Sequence, residues 1–139
     1  MSREAVIVDT NVVVAGLLTA HDASPVARIL NDMLIAAFSF VVSEALLAEY
    51  RAVLLRPPLR KLHCLKVPEM ETILADLAQH AIVLIPAAGT PAPDLGDLLM
   101  WDLLAARAGL RLVTGDKRLL LDAGMRSRVI APHGLVTGD

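Results

Sequence analysis

The sequence predicts an α/β fold: three layers, α/β/α, around a mostly parallel central sheet. Two observations carry this. Short runs rich in valine and isoleucine alternate with stretches of helical periodicity, and no linker long enough to divide the 139 residues separates them. Strands that alternate with helices pair in parallel, because each helix returns the chain to the starting edge of the sheet. Residues 1–139 are expected to form one domain around a single core, as suits a chain of this length.

The elements follow in order. Glu4 to Val8 is a short apolar run that predicts a buried strand, and Asn11 to Leu18 turns into a helix. Ser24-Pro25 marks the next helix start, with serine as cap and proline at the first helical position. Val26, Ile29, Leu30, Met33 and Leu34 follow at helical spacing. Phe38 to Val42 predicts the second strand. Ser43 caps a helix whose apolar stripe is Leu46, Leu47, Tyr50, Val53 and Leu54, and Arg56-Pro57-Pro58 reads as its end. Pro68 opens another helix through Ile73, Leu74 and Leu77. Ala81 to Ile85 is a third strand, and Pro86 to Pro93 reads as a loop. Gly96 to Ala108 is helical, Leu110 to Val113 is a fourth strand, Asp116 to Leu121 begins a helical turn, and Arg128 to Ala131 is a short last strand. Val-Thr-Gly-Asp at 113–116 recurs at 136–139 with no helix behind it, and the repeat reads as coincidence.

Composition narrows the function classes. Hydrophobic residues make up 55% and charged ones 20%, which excludes long disordered stretches. No apolar run reaches the roughly 20 residues that a membrane span needs; the longest, Met33 to Val42, is broken by Ser39. Met1-Ser2-Arg3-Glu4 leads straight toward the first strand without a signal-peptide pattern. Cys64 is the only cysteine, so no internal disulfide forms, and a reducing cytoplasm is the expected location. The net charge of −2 lacks the basic footprint of many nucleic-acid binders. Yet Arg51, Arg56, Arg60, Lys61 and Lys66 fall in one segment, either as a solvated helix end or as a basic rim beside acids.

Candidate chemistry rests on carboxylates. In an open parallel sheet, ligands bind beyond the carboxyl ends of the strands. Asp9 directly follows Val6-Ile7-Val8, and Asp116 follows Leu112-Val113 by the short turn Thr114-Gly115. Either aspartate alone could equally be a turn or cap residue. Asp97 shares a helix face with Trp101, Leu104, Ala105 and Ala108, a face that must pack inward, and a carboxylate there needs a partner such as a cation. Asp94 is a further acid nearby or a helix-start residue, and Asp102 falls off the inward stripe and reads as solvated. Glu44 and Glu49 lie on the Ser43 helix, and spacing does not choose between them. His21, His63, His80 and His133 show no zinc-ligand spacing. Clustered carboxylate oxygens select Mg²⁺ or Mn²⁺, and such a site suits phosphodiester hydrolysis without a side-chain nucleophile.

These residues resemble the PIN-domain family, and specifically its branch of toxins from bacterial toxin–antitoxin systems. Asp9-Thr10-Asn11 resembles the family's Asp-Thr-Asn motif after the first strand, and Ser43-Glu44-Ala45-Leu46-Leu47-Ala48-Glu49-Tyr50 its Ser-x-x-Leu-Leu-x-Glu-Tyr helix. Gly96-Asp97 with Trp101 resembles the third acidic segment, and Val113-Thr114-Gly115-Asp116 the Val-Thr-Gly-Asp turn. The resemblance implies Asp9, Glu49, Asp97 and Asp116 as catalytic acids holding Mg²⁺ or Mn²⁺, with Thr10, Asn11 and Thr114 supporting them. It implies a ribonuclease that hydrolyses RNA with metal-activated water, often a homodimer held silent by an antitoxin. Segment 57–67 carries no assignable motif, and with Arg56 its Arg60 and Lys61 are candidates for phosphate contact. Two other readings remain. One is a non-catalytic PIN-like module that binds RNA or protein. The other is a haloacid-dehalogenase-like phosphohydrolase, which wants a second aspartate where Asn11 stands.

Overall fold

The computed structural model describes residues 5–19, 21, 23–85, 98–107, 109–121 and 128–137. Five strands form one sheet: β1 (Val6–Val8), β2 (Phe40–Val42), β3 (Ile82–Val83), β4 (Arg111–Val113) and β5 (Val129–Ile130). Their order is β3-β2-β1-β4-β5, and all pairings are parallel. The helices are α1 (Thr10–Leu18), α2 (Pro25–Leu34), α3 (Glu44–Leu54), α4 (Pro57–His63), α5 (Val67–His80), α6 (Leu98–Ala106), α7 (Lys117–Leu120) and α8 (Pro132–Thr137).

Right-handed crossovers put α1 to α5 on one face of the sheet and α6 and α7 on the other. The contacts agree: α1, α2, α3 and α5 pack on one another, whereas α6 lies on β1 and β4 and α7 meets β5. The fold is therefore the three-layer α/β/α arrangement expected. Strands covered on both faces are apolar throughout rather than alternating. Every residue of β1 and β2 is buried, as are Leu112 and Val113 of β4. Each such Val, Ile or Leu side chain contributes roughly 1.5–3 kcal/mol relative to exposure.

Local rules explain most boundaries. The Ser24 hydroxyl accepts from the Ala27 amide at the start of α2, and that of Ser43 from the Leu46 amide at the start of α3. At Gly16 α1 approaches α2 so closely that a Cβ would lie 2.7 Å from the Val26 carbonyl oxygen.

Three expectations need correction. Arg56-Pro57-Pro58 ends α3 but also opens α4, because proline is as compatible with a first helical turn as it is hostile to an interior. α5 begins at Val67, one residue before Pro68, with the Lys66 amide satisfied by the Glu69 carboxylate at 3.0 Å. On α6 the inward side is Met100, Trp101, Leu103 and Leu104, while Ala105 is exposed, and Asp102 is half-buried with an Oδ1 that has no hydrogen-bond partner among the described residues. α8 went unread. It settles the repeat, since Val113 ends a strand whereas Val136-Thr137 end a helix. The loop expected at Pro86 to Pro93 lies outside the described residues.

Candidate active site

The register aligns the carboxyl ends of the central strands. Val8 pairs with Val113, and Ile7 with Val41, so Asp9, Thr114 and Ser43 emerge along one edge. From β1 the chain turns toward β2, and from β4 toward β5 on the other side. The gap between β1 and β4 is thus the topological switch point, where open α/β sheets bind their ligands.

Asp9 stands at this point. It occupies the cap position of α1, yet its side chain makes no capping bond there. Instead Asp9 Oδ2 accepts from the Thr114 hydroxyl at 2.8 Å and from Asn11 Nδ2 at 3.4 Å. The Thr114 hydroxyl in turn accepts from the Asp116 amide at 3.0 Å, and Asn11 Oδ1 from the Gly115 amide at 3.3 Å. One network therefore fastens the β1–α1 turn to the β4–α7 turn. Thr114 is wholly buried, so its hydroxyl has a fixed orientation.

Glu49 arrives from α3. The buried Thr10 hydroxyl donates to Glu49 Oε2, and Glu49 lines the same cleft as Asp9. Glu44 is exposed in the first turn of α3 and takes no part. Tyr50, next along, is fully buried, and its hydroxyl donates to the Val8 carbonyl directly before Asp9. Burial, and then the charges of Asp9 and Glu49, push the Tyr50 pKa well above its ordinary value. In the sequence Tyr50 stands in an apolar stripe and in the Glu-Tyr motif, and neither gives its hydroxyl a partner, since periodicity reports the ring and not the hydroxyl.

Asp116 has a different engagement. It caps α7 by accepting from the Arg118 amide at 2.9 Å, and its carboxylate pairs with Arg118 Nη2 at 3.0 Å. The Arg118 side chain is the main cause that holds the Asp116 carboxyl below its usual pKa, so it is anionic at neutral pH. Asp94 and Asp97 lie outside the described residues; Asp97 directly precedes α6.

The cleft measures about 500 Å³ and is lined by Asp9, Thr10, Asn11 and Glu49, by Val14, Ala15, Leu18, Val53 and Met100, and by Arg56. Arg56 was visible in the sequence, but its place in this cleft depends on how α3 turns into α4. Among the described residues no group of three or more His, Cys, Asp or Glu side chains is arranged to hold a metal ion. The donor set still fits a hard cation. Two carboxylates, a hydroxyl and a carboxamide line the cleft, without thiol or imidazole, and oxygen ligands of this kind suit Mg²⁺ or Mn²⁺.

Comparison with known proteins agrees with this geometry. A search of the curated proteins gives no significant match. A family model described as the PIN domain matches residues 5–118. PIN domains are a nuclease-type fold and generally use divalent metal ions. The matched span runs from the strand before Asp9 through the turn that holds Asp116, and the chain belongs to the PIN-domain family.

Proposed function

We propose that this protein is a metal-dependent endoribonuclease that hydrolyses RNA phosphodiesters, acting as the toxin of a type II toxin–antitoxin pair. The observation that supports it best is the convergence of Asp9 and Glu49, from β1 and α3, on one oxygen-lined cleft at the switch point of a PIN-domain sheet.

Asp9, Glu49, Asp97 and Asp116 would hold Mg²⁺ or Mn²⁺. When bound, such a cation withdraws charge from a phosphoryl oxygen and acidifies a coordinated water. The residues around it have separable roles. Thr114 and Asn11 fix Asp9 by hydrogen bonds to its Oδ2, and Thr10 fixes Glu49. Asp116 would exchange its Arg118 contacts for the cation. Val14, Leu18, Val53 and Met100 give the cleft apolar walls that limit water beside the reacting phosphate. Asn11 supports hydrolysis by water rather than a phosphoaspartate route, since it braces Asp9 and Gly115 where a dehalogenase-like enzyme needs an acid.

The test is incubation of labelled RNA with purified protein and Mn²⁺, with and without chelator, beside Asp9→Asn. Metal-dependent cleavage that disappears in the variant is expected. Tight RNA binding without cleavage would instead favour a non-catalytic module. The toxin role predicts that expression arrests growth, that Asp9→Asn does not, and that a small partner protein co-purifies with a homodimer when the neighbouring genes are co-expressed.

A further inference from the structure

We propose that Arg56 is the phosphate-positioning residue of this cleft, binding the phosphate next to the scissile one in single-stranded RNA, with Arg60 continuing the contact along α4. The proposal rests on the nuclease reading above and names how the site recognises its substrate.

Arg56 lines the same cleft as Asp9 and Glu49 and is, among the described residues, its one basic lining residue. An arginine beside two carboxylates ordinarily pairs with one of them. Here it does not: among the described residues the ion pairs are Arg51 with Glu71 and Arg118 with Asp116. Arg56 is exposed, and no side-chain bond ties it to the start of α4. A planar guanidinium left available at an acidic cleft matches the bidentate geometry of a phosphate.

Electrostatics favour such a group. Two carboxylates repel a polyanion, and the chain as a whole carries a net charge of −2, so no general field attracts RNA. Beyond a metal held on those carboxylates, attraction would come from basic side chains at the cleft mouth. Arg60 stands one helical turn beyond Arg56, on the same side of α4, and is likewise exposed. The segment to which no motif could be assigned from sequence thereby acquires a use.

The experiment measures binding apart from turnover. Fluorescent single-stranded RNA is titrated by anisotropy into Asp9→Asn protein alone and with Arg56→Gln, Arg56→Lys or Arg51→Gln, across a salt series. Cleavage kinetics follow with Asp9 restored. Arg56→Gln should weaken binding about tenfold and lower the salt slope by about one. It should raise KM while leaving kcat within about twofold. Arg56→Lys should keep the salt slope and lose part of the affinity, and Arg51→Gln should bind as the parent does. Unchanged affinity and salt slope in Arg56→Gln would overturn the proposal even if the protein cleaves RNA. Arg56-dependent binding without any cleavage would uphold the contact while refuting the nuclease reading.

Discussion

Replacing Tyr50 with phenylalanine removes a single oxygen from the core beside Asp9. Its hydroxyl donates to the Val8 carbonyl, so the variant leaves that buried acceptor without its donor, at a cost of about 1–3 kcal/mol. The pH dependence makes the prediction specific. In an unfolded chain tyrosine ionises near pH 10. In the fold, burial first and the Asp9 and Glu49 charges second raise that pKa. A raised pKa contributes stability that is complete below the unfolded value and is lost as pH climbs above it. The loss approaches about 1.4 kcal/mol per pH unit and sums to about 1.4 kcal/mol by about pH 11. Phenylalanine has nothing to ionise, so the stability gap between wild type and Tyr50→Phe should be widest near neutrality and narrow by that amount. Urea unfolding at a series of pH values reads the gap. Tyr50 is the only tyrosine, so tyrosinate absorbance of the folded protein reports this group alone. A gap that stays constant from about pH 9 to about pH 11, or a folded-state tyrosinate signal rising near pH 10, would refute the account.

Other perturbations address neighbouring contacts. Thr114→Val keeps the shape but removes the hydroxyl that orients Asp9 and receives the Asp116 amide; cleavage should fall about 10–100-fold, with Thr114→Ser restoring most of it. An undiminished rate in the valine variant would remove Thr114 from the site. Gly16→Ala gains about 1 kcal/mol of helix propensity. It also forces a Cβ to 2.7 Å from the Val26 carbonyl oxygen and 3.0 Å from Leu30 Cβ, an overpacking cost of about 1–3 kcal/mol, so the urea midpoint should fall. Arg118→Gln frees Asp116 from the main cause of its lowered pKa; since a depressed carboxyl stabilises above its unfolded pKa and loses this as pH falls, the variant's stability should depend less steeply on pH in the acid limb. Acid titrations superimposable with those of wild type would show that the pair has no weight in solution.

The legible parts of the chain were those governed by local chemistry. Val6-Ile7-Val8 followed by Asp9 announces a buried strand and the acid at its end, and Ser24 and Ser43 announce their helices because a cap is made within three residues. α4 and α8 stayed hidden for a physical reason. α4 buries no residue and α8 is six residues long, so neither repeats an apolar stripe that periodicity could detect. At α6 a shift in the inward side exposes Ala105 and draws Asp102 toward the interior, a rotation that depends on packing over β1 and β4. Choosing Glu49 over Glu44 without family resemblance needed the Thr10 hydroxyl, 39 positions away, and Arg56 needed the whole cleft.

The Thr114–Asp9 hydrogen bond spans 105 positions of sequence. Its partners cannot meet until β4 has seated beside β1, a pairing between distant segments of the kind whose closure carries a large entropic cost. A segment that ends at α5 contains Asp9 and Glu49 but not the Thr114 hydroxyl that orients Asp9. On the nuclease reading, Asp9 would be held in its working orientation only once the far part of the chain has joined the sheet.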